Sequence, residues 1–186
     1  PLREEAKDVL SALRGLGVKN AVMLTGDSPR TAAAIAAQLG VDDFQAGVLP
    51  ADKADYVAAL RREGHTVLMV GDGINDSPAL SEADAGIAIS DGAAIAREIA
   101  DITIAADSLW ELVRLRQLAM ALMHRIQNNY RFVIGFNGVL IGLGVAGILP
   151  PATSAMLHNL STLGVSLHSM SALPVAGRET KVVKDL

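Results

Sequence analysis

The first 107 residues of the chain alternate short apolar runs with longer stretches that have a helical period. Runs such as Val67–Val70 are bounded by turn-forming or polar residues and predict buried strands. The stretches between them carry apolar residues three and four positions apart and predict helices. The predicted strands are 21–24, 44–46, 67–70, 86–89 and 102–104, and the predicted helices are 4–13, 29–39, 52–62, 93–99 and one that begins at residue 78. This alternation predicts an α/β fold with a parallel sheet and crossover helices.

Helix starts are marked by polar residues that can accept a backbone N–H. Ser28 and Ser77 each precede a proline, which predicts an N-cap followed by proline at the first helical position. Ser108 and Glu111 predict a capping box that opens a longer helix. The α/β part is therefore expected to span residues 1–107, and a connecting helix is expected over residues 108–131.

A second region, residues 132–173, contains no charged side chain. Phe132–Leu149 and Ala152–Leu173 are uncharged runs of about 18 and about 22 residues, and a proline pair separates them. A helix of either length can cross a hydrocarbon core of about 30 Å, and the prolines interrupt the helix. The region predicts a transmembrane helical hairpin, although a buried hairpin of a soluble bundle also fits the pattern.

The charges that flank the uncharged region predict its orientation. Arg125 and Arg131 precede the first run, and Arg178, Lys181 and Lys184 follow the second. By the positive-inside rule both ends lie in the cytoplasm, so residues 174–186 are expected to form a cytoplasmic tail.

Composition excludes several classes of function. The chain has 186 residues, is 51% hydrophobic and carries a formal net charge of −4. It has no cluster of Lys and Arg interleaved with aromatic residues, so nucleic acid is not an expected partner. It has no cysteine, which excludes disulfides and thiolate metal sites within it. Because it starts at Pro1 and enters a helical pattern at once, we expect it to be a piece of a longer protein.

Two predicted strands end in similar chemistry, "VMLTGD" and "LMVGDG". In parallel α/β sheets, ligands bind beyond the carboxyl ends of the strands. The two loops are expected to surround one crevice with Thr25, Asp27, Asp72, Asn75 and Asp76. Carboxylates in this arrangement suit a hard cation such as Mg²⁺.

Glycines and a lysine add anion-binding groups to the same crevice. Gly26, Gly71 and Gly73 allow backbone amides to approach an anion, and Lys53 adds a positive charge suited to a phosphoryl oxygen. Together with the cation these groups describe a phosphoryl-transfer site. Taken alone, Asp27 also fits a helix cap, and Lys53 also fits a solvated helix position.

The strings "MLTGD", "PADK" and "VGDGINDSPAL" resemble, in order and spacing, the phosphorylation-domain motifs of P-type ATPases. The resemblance continues through "ADAGIAI" to about Leu173 and is strongest to the heavy-metal (type IB) branch. It implies a haloacid-dehalogenase-like fold, here an incomplete Rossmann-like parallel sheet, followed by the transmembrane hairpin.

The resemblance also implies roles for individual residues. Thr25 and Gly26 would hold the phosphoryl group, Asp27 completes their motif, and Lys53 would contact the phosphoryl group. The remaining assignments are Mg²⁺ binding for Asp72 and Asp76, and support of the phosphate and the loop for Asn75. ATP is expected to be bound mainly by domains that this chain does not include.

The "DKTGT" string, which carries the phosphorylated aspartate of the family, is not in this sequence. The chain therefore resembles the carboxyl-terminal part of a pump, and we expect it to be inactive by itself. Two alternatives stay open. One is a membrane-anchored phosphatase of the same fold, and the other is a non-catalytic membrane remnant.

Polar residues within the uncharged runs are candidates for binding the transported ion. An imidazole inside a membrane is costly and usually functional, and neutral histidine suits borderline divalent ions such as zinc or cobalt. The candidate ligands are Asn137, His158, Ser161 and Thr162, and His168 receives little weight. Counted from the first residue of each run, Asn137 and His158 are expected at different depths. A shared site would then need ligands from the remainder of the pump.

Together these expectations predict the cellular location of the chain and its binding partners. It would lie in a membrane as a multi-pass protein, in the plasma or inner membrane of a bacterium, with the α/β part in the cytoplasm. Its expected partners are a divalent metal ion, membrane lipid and the remainder of the pump.

Overall fold

The computed structural model describes residues 3–72, 75–89, 98–104 and 108–173. Its elements, in chain order, are α1 (Ala6–Gly15), β1 (Val22–Leu24), α2 (Pro29–Leu39), β2 (Asp43–Gln45), α3 (Pro50–Arg62), β3 (Leu68–Gly71), α4 (Ser77–Glu82), β4 (Ala85–Ile89), β5 (Ile102–Ile104), α5 (Trp110–Val145) and α6 (Pro151–Ser169). Two compact units divide the chain, residues 1–113 and residues 114–186.

The strands of the first unit are all parallel, as predicted. β1 pairs with β2, with Val22 opposite Asp43. β4 lies between β3 and β5, with Ile87 opposite Val70 on one side and Ile102 on the other. The prediction of one sheet is not matched among the described residues, where the strands form a two-stranded and a three-stranded group.

Several predicted boundaries differ from the structure by one or two residues, at α1, β1, β3, α4 and β4 as well as at β2 and α3. β2 starts one residue early, at Asp43, and α3 starts two residues early, at Pro50. Proline is well suited to the first turn of a helix, because its missing N–H needs no partner there. The helix predicted over 93–99 lies largely outside the described residues, which resume at residue 98.

The core of the first unit lies where α3 packs against α4 and α4 packs on the three-stranded group. Its largest fully buried side chains are Leu80, Ile87 and Val57. Gly86 of β4 is buried beneath α4, and a Cβ atom there would lie 2.6 Å from the carbonyl oxygen of Leu80. This close backbone approach fixes α4, and with it the start of α4 beside the carboxyl end of β3.

The N-cap predictions have different outcomes. Ser28 caps α2, because its side chain accepts the backbone N–H of Thr31. The prediction for Ser77 is wrong: Ser77 is the first residue of α4, and Asp76 occupies the N-cap position. Asp76 makes no side-chain cap hydrogen bond, since its carboxylate pairs with Lys53.

The start of α5 has an acidic partner that the sequence pattern did not indicate. Glu5 accepts hydrogen bonds from the Ser108 hydroxyl at 3.0 Å and from the Leu109 backbone N–H at 2.5 Å. The Ser108 hydroxyl oxygen in turn accepts the backbone N–H of Trp110 at 3.3 Å. A carboxylate at this position satisfies helix N–H groups and complements the helix dipole.

Three aspartates tie neighbouring strands together at their amino ends. Each directly precedes a strand and accepts a backbone N–H at or next to the start of the neighbouring strand. The pairs are Asp42 with Ala21, Asp84 with Val67, and Asp101 with Gly86, each at 2.8 Å. These bonds hold the strands in register at the edge opposite the candidate site.

Two of these aspartates are expected to make stability depend on pH. The Arg14 side chain and then the Ala21 N–H lower the pKa of Asp42 below 3.8. The Val67 N–H, followed by Arg61, lowers the pKa of Asp84 below the same value, 3.8. Because the folded pKa is below the unfolded one, the stabilisation is present above the unfolded pKa and is lost as pH falls through the folded pKa.

We therefore expect the melting temperature to fall once the pH drops below about 4. Asp84→Asn should lower the melting temperature at neutral pH and make its decrease in acid less steep. Asp55→Asn, at an exposed position of α3, is the matched control and should change neither. Identical acid profiles of parental protein and Asp84→Asn would contradict this role of Asp84.

The described part of the second unit is an antiparallel helical hairpin. Residues 146–150 connect α5 to α6, and Gly147 adopts a φ of 72°, a left-handed conformation that glycine tolerates. The Arg125 guanidinium donates to the carbonyl oxygens of Ser169, Ser171 and Ala172, at 3.3, 2.5 and 3.0 Å. It satisfies carbonyls at the end of α6 and is a favourable charge there.

The prediction that this hairpin crosses a membrane is not confirmed. Among the residues that the structure describes, no helix combines the length and the apolar character needed to cross a membrane.

Candidate functional site

The loop after β1 is organised by the hydroxyl of Thr25. Thr25 Oγ1 donates to Asp27 Oδ2 at 2.9 Å and accepts the backbone N–H of Asp27 at 3.1 Å. The backbone of the same loop bonds to the loop after β2, through Gly47 N–H to Asp27 O and Val48 N–H to Thr25 O, at 2.9 and 3.1 Å. The two loops therefore form one hydrogen-bonded platform at the carboxyl ends of β1 and β2.

The side chain of Asp27 does not make the cap contact seen at α2. That contact is made by Ser28, whose hydroxyl accepts the N–H of Thr31 at 3.4 Å. Asp27 instead accepts a hydrogen bond from the Thr25 hydroxyl and orients that hydroxyl. The interpretation of Asp27 as the helix cap is therefore wrong.

Lys53 and Asp76 form an ion pair of 2.6 Å between α3 and the start of α4. Each side chain is only 14% exposed, so Lys53 does not occupy a solvated helix position. A partly buried pair is screened less by water than a surface pair. The pair holds an ammonium group beside the loop that follows β3.

Gly71 makes room for this pair. A Cβ atom at Gly71 would lie 2.5 Å from Asp76 Oδ2 and 2.7 Å from Asp76 Cβ. The predicted role of Gly71 is to let a backbone amide approach an anion. The structure shows a different constraint, because the missing side chain allows Asp76 to pack against the end of β3.

Asp72 and Asn75 lie in the exposed part of the same loop. The Asn75 backbone N–H donates to Asp72 Oδ1 at 3.4 Å. Gly73 lies outside the described residues, so its predicted role is not addressed. The loop thus presents the Asp72 carboxylate at the carboxyl end of β3.

The donor set of this loop fits Mg²⁺. Among the described residues, no three His, Cys, Asp or Glu side chains are grouped so that they could hold a metal ion. Mg²⁺ is usually bound by one or two protein carboxylates, and water and substrate phosphates complete its coordination. Asp72 and the second oxygen of Asp76 are oxygen donors of the required kind.

The predicted crevice residues fall into three hydrogen-bonded groups. Thr25 bonds to Asp27, Lys53 bonds to Asp76, and the Asn75 N–H bonds to Asp72. Segment 45–53 links the first two groups, since Val48 bonds to Thr25 and Leu49 N–H bonds to Asp52 Oδ2 at the start of the helix that carries Lys53. A threonine hydroxyl, an ammonium and a carboxylate are therefore carried by connected loops.

In the second unit, Asn137 and His158 are in direct contact. Asn137 Oδ1 lies 2.8 Å from His158 Nδ1. The expectation that they lie at different depths is wrong. Asn137 lies eight residues before the end of α5 at Val145, and His158 lies seven residues after the start of α6 at Pro151. Nearly equal distances from the turn place two residues of an antiparallel hairpin at about the same level, whatever the lengths of the uncharged runs.

Ser161 and Thr162 both donate to the carbonyl oxygen of His158, at 2.8 and 3.0 Å. Their hydroxyl protons are therefore committed to the backbone of α6, which leaves their lone pairs for a ligand. Asn137, Ser154 and His158 are the polar residues that line a groove of about 690 Å³ between the two helices of this unit. Apolar and small residues line the rest of that groove.

The α/β fold and its strand-end loops define the class of the first unit. Residues 1–84 match the family described as haloacid dehalogenase-like hydrolase. The crystal structure of a zinc-transporting PIB-type ATPase in the E2.Pi state is similar over 91% of this chain and 28% of that chain, with a TM-score of 0.83 and 38% identity. The predicted haloacid-dehalogenase-like α/β fold is therefore confirmed.

Named proteins of similar sequence indicate a family within the haloacid-dehalogenase-like class. The manganese-exporting P-type ATPase of Mycobacterium leprae and the zinc-exporting P-type ATPase of Mycobacterium marinum are each 44% identical over 169 residues, 90% of this chain. The chain is homologous to the heavy-metal P-type ATPases, and the resemblance seen in its motifs is confirmed. It spans about a quarter of the length of these relatives, 23% of each.

Proposed function

We propose that this chain supplies the carboxyl-terminal part of the phosphorylation domain, and the helical hairpin that follows it, to an ATP-driven heavy-metal pump. The pump would work through an aspartyl-phosphate intermediate. The observation that carries the proposal is the 2.6 Å pair of Lys53 and Asp76 at the carboxyl end of β3, next to Asp72. An ammonium group and carboxylates held there match the needs of phosphoryl transfer, which depends mainly on positioning and charge stabilisation.

Each residue of the site has a proposed task. The Thr25 hydroxyl donates a hydrogen bond to Asp27 in the structure. When a phosphoryl oxygen is present, the same hydroxyl can rotate and donate to that oxygen instead. Gly26 keeps the loop free of a side chain, and Asn75 supports the loop and the phosphate. Lys53 would stabilise negative charge that develops on the phosphoryl oxygens. Asp72, with Asp76, would hold Mg²⁺, which neutralises phosphoryl charge when it is bound.

We further propose that the hairpin lies in lipid and against the remainder of the pump. Of the described residues of the second unit, only Leu140 is buried. Large apolar side chains on both helices are exposed. Examples are Ile141 at 67%, Val145 at 85% and Leu167 at 61% exposure. Apolar surface on this scale needs lipid or protein to cover it. The pump would be a multi-pass protein of a bacterial plasma or inner membrane, with the α/β unit in the cytoplasm.

The ion that we propose is divalent, with zinc or cobalt first. The support is the imidazole of His158, since neutral imidazole suits borderline divalent ions and copper(I) prefers sulfur ligands. Ser161 and Thr162 can add oxygen lone pairs one turn from the ring. The names of the relatives include both zinc and manganese exporters, so the choice of ion rests on this donor set.

A chimeric pump tests the proposal. This chain replaces the matching segment of the M. marinum zinc exporter, and ATP hydrolysis is measured with zinc, cobalt, manganese and copper(I). We expect stimulation by zinc or cobalt and a loss of that stimulation in His158→Ala. His168→Ala, on the same helix, is the matched control and should keep it. Stimulation by copper(I) alone, or indifference to His158→Ala, would show that His158 does not choose the ion.

A further inference from the structure

Asn137 of α5 and His158 of α6 form a polar contact inside the predicted membrane region. Among the described residues of that region, no other polar side-chain pair joins the two helices. The distance of 2.8 Å joins the amide oxygen of Asn137 to Nδ1 of the ring. An amide oxygen can only accept a hydrogen bond. A hydrogen bond of this geometry therefore requires the proton to be on His158 Nδ1.

This assignment determines the state of the second ring nitrogen. In a neutral imidazole one nitrogen carries the proton and the other has a free lone pair. With the proton on Nδ1, the lone pair is on Nε2. Among the described residues, Nε2 has no hydrogen-bond partner, and the nearby hydroxyls of Ser161 and Thr162 donate to the backbone carbonyl instead.

From this geometry we propose that Asn137 is a positioning residue. It holds His158 as the Nδ1–H tautomer, so that Nε2 is the atom that meets the transported ion, and it is not itself the ligand. The proposal rests on the proposed function, because it takes His158 to be part of the ion site. Histidines that bind metals commonly have their other ring nitrogen fixed by a hydrogen bond of this kind.

The first experiment reads the tautomer without any metal or ATP. The 186-residue chain is labelled with nitrogen isotope in its four histidines, reconstituted in lipid, and studied by NMR at mildly alkaline pH, where imidazole is neutral. The His158 signal is assigned from its loss in His158→Ala. We expect His158 to be protonated at Nδ1, although free histidine favours the proton on Nε2.

Variants of Asn137 separate positioning from general disturbance. Asn137→Ala should return His158 to the Nε2–H tautomer, whereas Asn137→Asp keeps an acceptor and should preserve Nδ1–H. Asn129→Ala is the matched control, because Asn129 lies on the same helix and bonds to Ser169 instead. It should leave the His158 tautomer unchanged.

The second experiment adds Zn²⁺ as the probe. We expect the Nε2 signal of His158 to move to the position of a metal-bound nitrogen, and Asn137→Ala to weaken Zn²⁺ affinity about 10- to 100-fold. An Nε2–H tautomer in the parental chain, or Zn²⁺ on Nδ1, would overturn the inference and leave His158 as a possible ligand. A clear Nδ1–H tautomer with no response of either nitrogen to Zn²⁺ would instead contradict the proposed ion site.

Discussion

Lys53→Met should slow phosphoenzyme formation in the chimeric pump by on the order of 10²–10³-fold. The substitution keeps an unbranched chain of similar length but removes the ammonium group that Asp76 holds at 2.6 Å. Charge that develops on the transferred phosphoryl group would then lose the positive charge that we propose stabilises it. The measurement is rapid-quench phosphorylation by labelled ATP in the presence of Mg²⁺.

Lys19→Met is the matched control for this substitution. Lys19 is exposed in the segment that joins α1 to β1, so its loss should leave the phosphorylation rate at the parental value. Circular dichroism of both variants shows whether the fold has survived. If Lys53→Met is well folded and phosphorylates at the parental rate, the assignment of Lys53 to the phosphoryl site is wrong.

Gly86→Ala should destabilise the first unit by about 3 kcal/mol, the upper end of the usual cost of overpacking. The added methyl group would lie 2.6 Å from the carbonyl oxygen of Leu80 and 3.2 Å from its Cα atom. These are backbone atoms, so a side-chain rotation cannot relieve the clash and α4 must move away from β4. Urea unfolding of the chain, followed by circular dichroism, measures the change.

Gly15→Ala provides the control, since a Cβ atom there meets nothing within 4 Å. Gly15 ends α1, and alanine favours a helix more than glycine does, so this variant should be as stable as the parental chain or slightly more stable. Equal stabilities of Gly86→Ala and Gly15→Ala would contradict the packing of α4 against β4.

Local patterns in the sequence were sufficient to predict the alternating elements and the family resemblance. Strand and helix types follow from hydrophobic period, and the Thr25, Lys53 and Asp72 motifs have fixed spacings that a single sequence displays. The cap at Ser28 was also predictable, because its partner Thr31 is three residues away.

Features that depend on distant partners were not predictable in this way. Asp76, and not Ser77, precedes α4 as its N-cap, and its carboxylate is committed to Lys53, which is 23 residues away in the chain. Glu5 caps a helix start more than 100 residues later, at Ser108 and Leu109. No local pattern specifies which of many carboxylates completes such a contact.

In the hairpin, the uncharged runs led to a wrong expectation for the separation of Asn137 and His158. The uncharged runs located Asn137 and His158 in neighbouring helices, but depth counted from the ends of the runs separated the two residues. Register in an antiparallel hairpin is set at the turn, and here also by Arg125 at the other end of α6. Counting from residues 146–150 would have placed the two side chains together.

We propose that this chain supplies the phosphate-receiving half of an aspartyl-phosphate site, whose nucleophile belongs to the remainder of the pump. The purified chain and the chimeric pump are exposed, side by side, to labelled ATP and Mg²⁺. We expect no phosphorylation and no ATP hydrolysis by the chain alone. The chimera should form a metal-stimulated, hydroxylamine-sensitive phosphoenzyme that Asp72→Asn greatly weakens. Steady ATP hydrolysis by the chain alone, or a phosphoenzyme that is indifferent to Asp72→Asn, would contradict the account.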